Sequence, residues 1–213
     1  MSDQKKARAA AKPRRSQEER SAASRASLLE SAIRHMRERG LAATNMTVIA
    51  SEANLTRGAI QHHFSNRAEL LLAVIGELDA RISRAMDDYV LDADVTGLDR
   101  LIKVLDKVIA LTSSDDNVAV YDLWSASRSD AALGAETLEL QRQLTEQFRG
   151  FWRGNLEGHI PEDLIDASFD VTLTMSQGAA VAQLLNQSSE TVDRMLAATK
   201  AMLLEFVKAR LQP

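Results

Sequence analysis

Apolar residues recur along most of this chain at intervals of three and four, and almost nowhere at two. That period marks amphipathic helices rather than strands. Leu28, Leu29, Ala32, Ile33 and Met36 form the inward stripe of a first helix over 17–39, which Gly40 closes as a C-cap. A short second helix is predicted over 46–53, with Asn45 as N-cap and Val48 or Ile49, together with Ala50, facing inward. Asn54 then stands where the chain must turn, and asparagine accepts the left-handed conformation better than other non-glycine residues. Thr56 caps a third helix over 57–63, and Ile60 and Phe64 point into a small three-helix core. Asn66 with Glu69 three residues on makes an Asx version of a capping box for a fourth helix. Leu71, Val74, Leu78, Ile82, Ala85 and Tyr89 carry its apolar face to about residue 90. At 1.5 Å per residue such a helix runs roughly 36 Å, long enough to join two parts of a protein.

Further helical segments are predicted over 98–112, 118–127, 133–157, 162–187 and 190–211. The breaks at 92–97, 113–117, 129–130, 158–161 and 188–189 are rich in turn and capping residues. No stretch alternates convincingly as a strand, and no repeat of fixed period is present. The predicted fold class is all-α.

Two short helices joined by a tight turn between residues 44 and 72 have the grammar of a helix-turn-helix, whose second helix enters the DNA major groove. Charge sharpens this reading. Up to Arg67 there are thirteen Lys and Arg against six Asp and Glu, and beyond it thirteen against twenty-four. A basic head suits a polyanion and an acidic remainder avoids it. Lys5, Lys6, Arg8, Lys12, Arg14 and Arg15 form a flexible basic arm over residues 1–16, either a DNA-contacting arm or a solvated tail.

The free N–H groups and dipole at the start of the third helix favour a phosphate, and Thr56 adds a hydroxyl at the same place. Arg57, Gly58, Gln61 and His62 then face the groove. Gly58 lets the backbone approach, Arg57 pairs with guanine or a phosphate, and Gln61 can pair bidentately with adenine. Asn45, His63 and Arg67 lie near the edges and suit phosphate contacts.

These residues carry a family resemblance. Residues 40–45 (Gly-Leu-Ala-Ala-Thr-Asn), Ile49-Ala50, residues 53–60 (Ala-Asn-Leu-Thr-Arg-Gly-Ala-Ile), His63-Phe64 and residues 67–70 (Arg-Ala-Glu-Leu) resemble the TetR family of one-component bacterial regulators. Four positions depart from its usual pattern: Asn54 replaces a common Gly, Asn45 a Thr, Arg67 a Lys, and Gln61 an aromatic, usually Tyr. The resemblance implies a homodimer with an N-terminal DNA-binding domain over 17–66 and a larger helical domain over 67–213 for effector binding and dimerisation. It further implies a cytoplasmic repressor that binds an inverted-repeat operator in double-stranded DNA and is released by a small-molecule effector, with the fourth helix as lever. The alternative is a sequence-tolerant structural DNA-binding protein without a ligand.

On the last two helices, Gln177, Ala180, Val181, Leu184, Met195, Met202 and Phe206 are candidates for the dimer interface; packing within one subunit is the other use of such faces. Tyr121 with Trp124, and Phe148 with Trp152, share helix faces, and with Tyr89 and Met175 they line an effector pocket or fill the core. Gly150, Gly154 and Gly158 repeat every four residues and suggest close approach by another helix or a ligand.

Other chemistry is sparse. Cysteine is absent, which fits a reducing cytosol, and no apolar run resembles a signal peptide or a membrane span. His62 and His63 are neighbours on a helix and point about 100° apart, so neither a metal site nor a cofactor is expected. The acidic pairs Asp87-Asp88 and Asp115-Asp116 read as solvated helix ends. No nucleophile elbow, phosphate-binding loop or zinc-protease motif signals an enzyme.

Overall fold

A computed structural model describes residues 16–128, 133–185 and 187–211. The basic arm, apart from Ser16, and the break at 129–130 lie outside the described residues. Within them the chain is helical and without strands: α1 (Gln17–Arg39), α2 (Met46–Glu52), α3 (Arg57–His63), α4 (Arg67–Asp87), α5 (Gly97–Thr112), α6 (Asp115–Ser127), α7 (Gly134–Leu156), α8 (Glu162–Leu184) and α9 (Ser189–Leu211), with a 3-10 turn at Leu41–Ala43. None of these helices is long and apolar enough to cross a membrane.

Local signals set most boundaries. Ser16 and Glu19 form a reciprocal capping box at the start of α1. α2 ends in a Schellman pair, Leu55 N–H to Ala50 O and Asn54 N–H to Ser51 O, with Asn54 at φ +55°. Three boundaries move by about three residues, one of them the end of α8, at Leu184 rather than 187, where Leu185 caps the helix. α4 stops at Asp87 rather than near residue 90, because Met86 is its last inward residue and Val90 is exposed. α6 starts at Asp115, three residues early, because Ser114 accepts from Asn117 N–H and Asp115 and Asp116 sit favourably in the first turn.

Two apolar clusters organise the molecule. The first joins α1, α2 and α3 to the first half of α4 and to α6, through Leu28, Ile49, Phe64, Leu71, Val120 and Leu123 among others. The second joins the far half of α4, through Ile82 and Met86, to α5, α7, α8 and α9 around Trp152. α4 is therefore common to both.

The glycine spacing in α7 reflects no close approach. A β-carbon at Gly150, Gly154 or Gly158 would meet nothing within 4 Å, and Gly158 serves the turn after α7 at φ +76°. Asp115 and Asp116 are more than solvated ends: Arg37 of α1 pairs with Asp115 at 2.7 Å and Asp116 at 3.5 Å, and Arg81 of α4 reaches Asp116 at 3.7 Å.

One carboxylate on α4 is poorly served. Asp79 Oδ1 is buried without a hydrogen-bond partner, and burial raises its pKa from 3.8 to about 7. The folded state thus holds a proton that the unfolded chain loses near pH 4. Its contribution is present below that pH and is lost as pH rises towards about 7. Asp79→Asn should leave stability at pH 4 unchanged and raise it at pH 8 by on the order of 1–2 kcal/mol, a discounted figure because the residue is only partly buried. Denaturant melts at the two pH values test this, and an equal shift at both would sink it.

Candidate nucleic-acid interface

The helix-turn-helix is assembled by caps and by two anchors. Asn45 Oδ1 accepts from Val48 N–H at 3.0 Å and Thr56 Oγ1 from Ala59 N–H at 3.1 Å. Capping uses acceptor lone pairs only, so the Asn45 amide and the Thr56 hydroxyl proton stay available to an external oxygen. Ile60 and Phe64 are fully buried and fix the roll of α3. That roll leaves Arg57, Gly58, Gln61 and His62 on its exposed side. A β-carbon at Gly58 would meet only Thr56 Oγ1, at 3.8 Å, so nothing within the chain requires glycine there.

His63 is half-buried, edge-on to His62 at 5.3 Å. Burial first, then His62 and Arg25, push its pKa below 6.5, so it is neutral at neutral pH. Arg25 of α1 lies over the Phe64 ring at 5.4 Å, an exposed cation beside α3 that sequence reasoning missed. Its only signal was a position on the polar side of α1.

Arg67 stands apart from the other candidates. Its Nε donates to Thr44 O and its Nη2 to Leu41 O, each at 2.9 Å. Two of its three nitrogens therefore bind the 3-10 turn instead of facing outward, because the carbonyls of so short a turn lack helical partners. The other end of that turn is capped from α6, where Asp122 Oδ2 accepts from Leu41 N–H at 3.0 Å. Gly40, at φ +76°, supplies no side chain for this purpose. His35 adds a third tie through Glu52 at 2.9 Å and Ala43 O at 3.3 Å. The turn that leads into α2 is thus held by α1, α4 and α6 together.

α6 has a second face. With residues about 100° apart around the axis, Tyr121, Trp124 and Arg128 point away from Asp115 and Asp122. They line a cavity of about 750 Å³ between α6, α7 and α8. Tyr121 and Trp124 meet edge-on at 4.8 Å, and burial, opposed in part by Gln177, pushes Tyr121 up to about 12, so it stays neutral.

The other aromatics expected at a pocket lie elsewhere. Phe148 and Trp152 are core residues, with Trp152 Nε1 donating to Ile165 O at 3.1 Å and Ser168 Oγ at 3.3 Å. Tyr89 packs on Phe151 at 5.7 Å and donates to Lys103 O at 2.9 Å. Met175 lies against the core and a separate shallow groove beside Val171. The dimer candidates also divide. Ala180 is buried within the subunit, because that face of α8 packs on its neighbours. Gln177, Val181 and Leu184 line the cavity, and Met195, Met202 and Phe206 are exposed on α9. Gln141 and Leu138 complete the cavity wall and had no sequence signal beyond their places on α7. Among the described residues no group of three His, Cys, Asp or Glu could hold a metal ion.

The family model for bacterial regulatory proteins of the tetR family matches residues 28–74. The HTH-type transcriptional regulator TtgR of Pseudomonas putida is 41% identical over 70 residues, which span 30% of this chain and only a third of TtgR. The HTH-type transcriptional regulator CymR of Pseudomonas putida is 30% identical over 190 residues, 85% of this chain and 90% of CymR. A TetR transcription regulator from Haloarcula marismortui shares the fold, with a TM-score of 0.66 over 88% of this chain and 98% of its own, at 18% identity. A match that spans nine-tenths of CymR, together with the motif between residues 28 and 74, decides the matter: the chain belongs to the TetR family of bacterial transcriptional regulators.

Proposed function

We propose that this protein is a ligand-responsive repressor that binds an inverted-repeat operator as a homodimer and leaves it when a small molecule fills the cavity between α6, α7 and α8. Residues 17–66 read DNA, with residues 1–16 as a basic arm, and residues 67–213 bind the effector and dimerise. The observation that carries this reading is the double role of α6: Tyr121 and Trp124 line the cavity while Asp115 and Asp122 hold the head. A ligand that shifts α6 moves the 3-10 turn directly, and moves α4 through the shared apolar cluster. The two reading heads then lose the separation that successive major grooves require.

Arg57, Gln61 and His62 on α3 face the groove, where Gln61 and Arg57 read bases, while Thr56 and His63, with Asn45 at the start of α2, serve the backbone. The freedom of Gly58 from any internal constraint supports close approach by DNA. Met195, Met202 and Phe206 on α9, with Leu185 just beyond α8, leave an exposed apolar surface suited to a second copy.

The test is a footprint on the DNA upstream of the protein's own coding region, repeated with a panel of small molecules. Protection of an inverted repeat that one compound lifts is the expected result. If random duplex competes as well as that region and no compound releases it, the protein is a sequence-tolerant DNA-binding protein instead. Two variants refine the reading. Gln61→Ala should change base preference at one position of each half-site by several-fold, within the roughly 1–3 kcal/mol that a bidentate pair discriminates. Selection from a randomised operator measures this, and an unchanged preference removes Gln61 from base reading. Asp122→Ala should weaken operator binding about fivefold through the lost cap, roughly 1 kcal/mol, and blunt release by the effector. Normal release in that variant would show that α4 alone carries the signal.

A further inference from the structure

We propose that the cavity between α6, α7 and α8 selects an anionic ligand, an apolar body ending in a carboxylate, with Arg128 as its counter-ion. This rests on the reading of the cavity as the effector site. Its walls supply the apolar part: Tyr121 and Trp124 on one side, Leu138, Val181 and Leu184 on the others. A volume of about 750 Å³ lies within the usual range of small-molecule sites.

The polar lining is one-sided. Beyond residue 67 the chain carries twenty-four acidic residues against thirteen basic ones, yet no Asp or Glu among the described residues lines this cavity. The one charged side chain that does is Arg128, at the C-terminal end of α6, and it makes no ion pair or side-chain hydrogen bond among the described residues. A guanidinium offers a carboxylate two parallel donors, the arrangement with the best geometry and strength available to it.

A cationic ligand would meet Arg128 with like charge, and a neutral amide would gain nothing from the guanidinium.

The experiment uses the full chain and calorimetric titration with matched probes: 2-naphthoate, 2-naphthamide and 2-naphthylmethylamine, and the same trio on a phenyl and on a biphenyl skeleton. At least one acid should bind about tenfold or more tighter than its amide, and its amine should not bind at millimolar concentration. Arg128→Gln should abolish the preference of acid over amide while sparing amide affinity. The proposal is overturned if an amine binds as well as its acid, if Arg128→Gln leaves the acid-to-amide ratio unchanged, or if no acid of the three sizes binds. An acid that binds with these dependences but leaves the DNA complex intact supports the ligand chemistry and overturns the effector reading, so the two failures are distinct.

Discussion

Arg67→Ala is expected to weaken binding to every duplex by about 30-fold or more while leaving the slope of affinity against salt concentration unchanged. The guanidinium holds Leu41 O and Thr44 O, both at 2.9 Å, and Asn45 follows at once as the cap of α2. Hydrogen bonds from a charged donor contribute about 1.5–3 kcal/mol each, so losing the pair at a half-exposed site costs on the order of 2–3 kcal/mol. The variant must recover this by reordering the turn when it docks. A residue that neutralises a phosphate behaves differently, since its removal lowers the salt slope by about one. Affinities at four or five salt concentrations separate the two roles. A slope reduced by about one returns Arg67 to the phosphate backbone, where residue spacing alone places it. Arg67→Lys should recover only part of the loss, because one ammonium cannot reach two carbonyls with fork geometry.

Trp152→Ala should lower stability by about 3–5 kcal/mol, the range for removing a large aromatic from a core. Trp152 is fully buried at the centre of the second apolar cluster, edge-on to Phe169 at 6.1 Å. Removing it also leaves Ile165 O and Ser168 Oγ without this donor. For a chain of this size the melting midpoint should fall by roughly 10 °C or more, followed by far-ultraviolet circular dichroism. Trp152→Phe keeps most of the apolar volume and should cost less than half as much. A midpoint within 2 °C of the parent protein for Trp152→Ala would contradict its place as the core's main aromatic.

The caps were legible because each is a local event. Asn45, Thr56 and Asn66 each accept from a backbone N–H three residues on, as their spacing requires. Asn54 adopts the left-handed conformation that the turn after α2 demands. Ile60 and Phe64 are buried as the period of α3 dictates. Distant pairings left no such trace. The four aromatics at helical spacing looked alike, yet Trp124 lines a cavity and Trp152 fills the core. The glycines of α7 suggested a close neighbour and have none.

By itself, the order of residues determined the all-α class, the helix-turn-helix with the exposed face of α3, and the family. All three follow from spacings of three and four residues, over which propensity, capping and amphipathicity act. Tertiary structure alone decided that Arg67 binds two carbonyls of the 3-10 turn, that Asp122 caps a turn 81 residues before it, and that α6 joins the cavity to the helix-turn-helix. These contacts form only when helices far apart in the chain pack together, and no local period encodes which side chains will then meet.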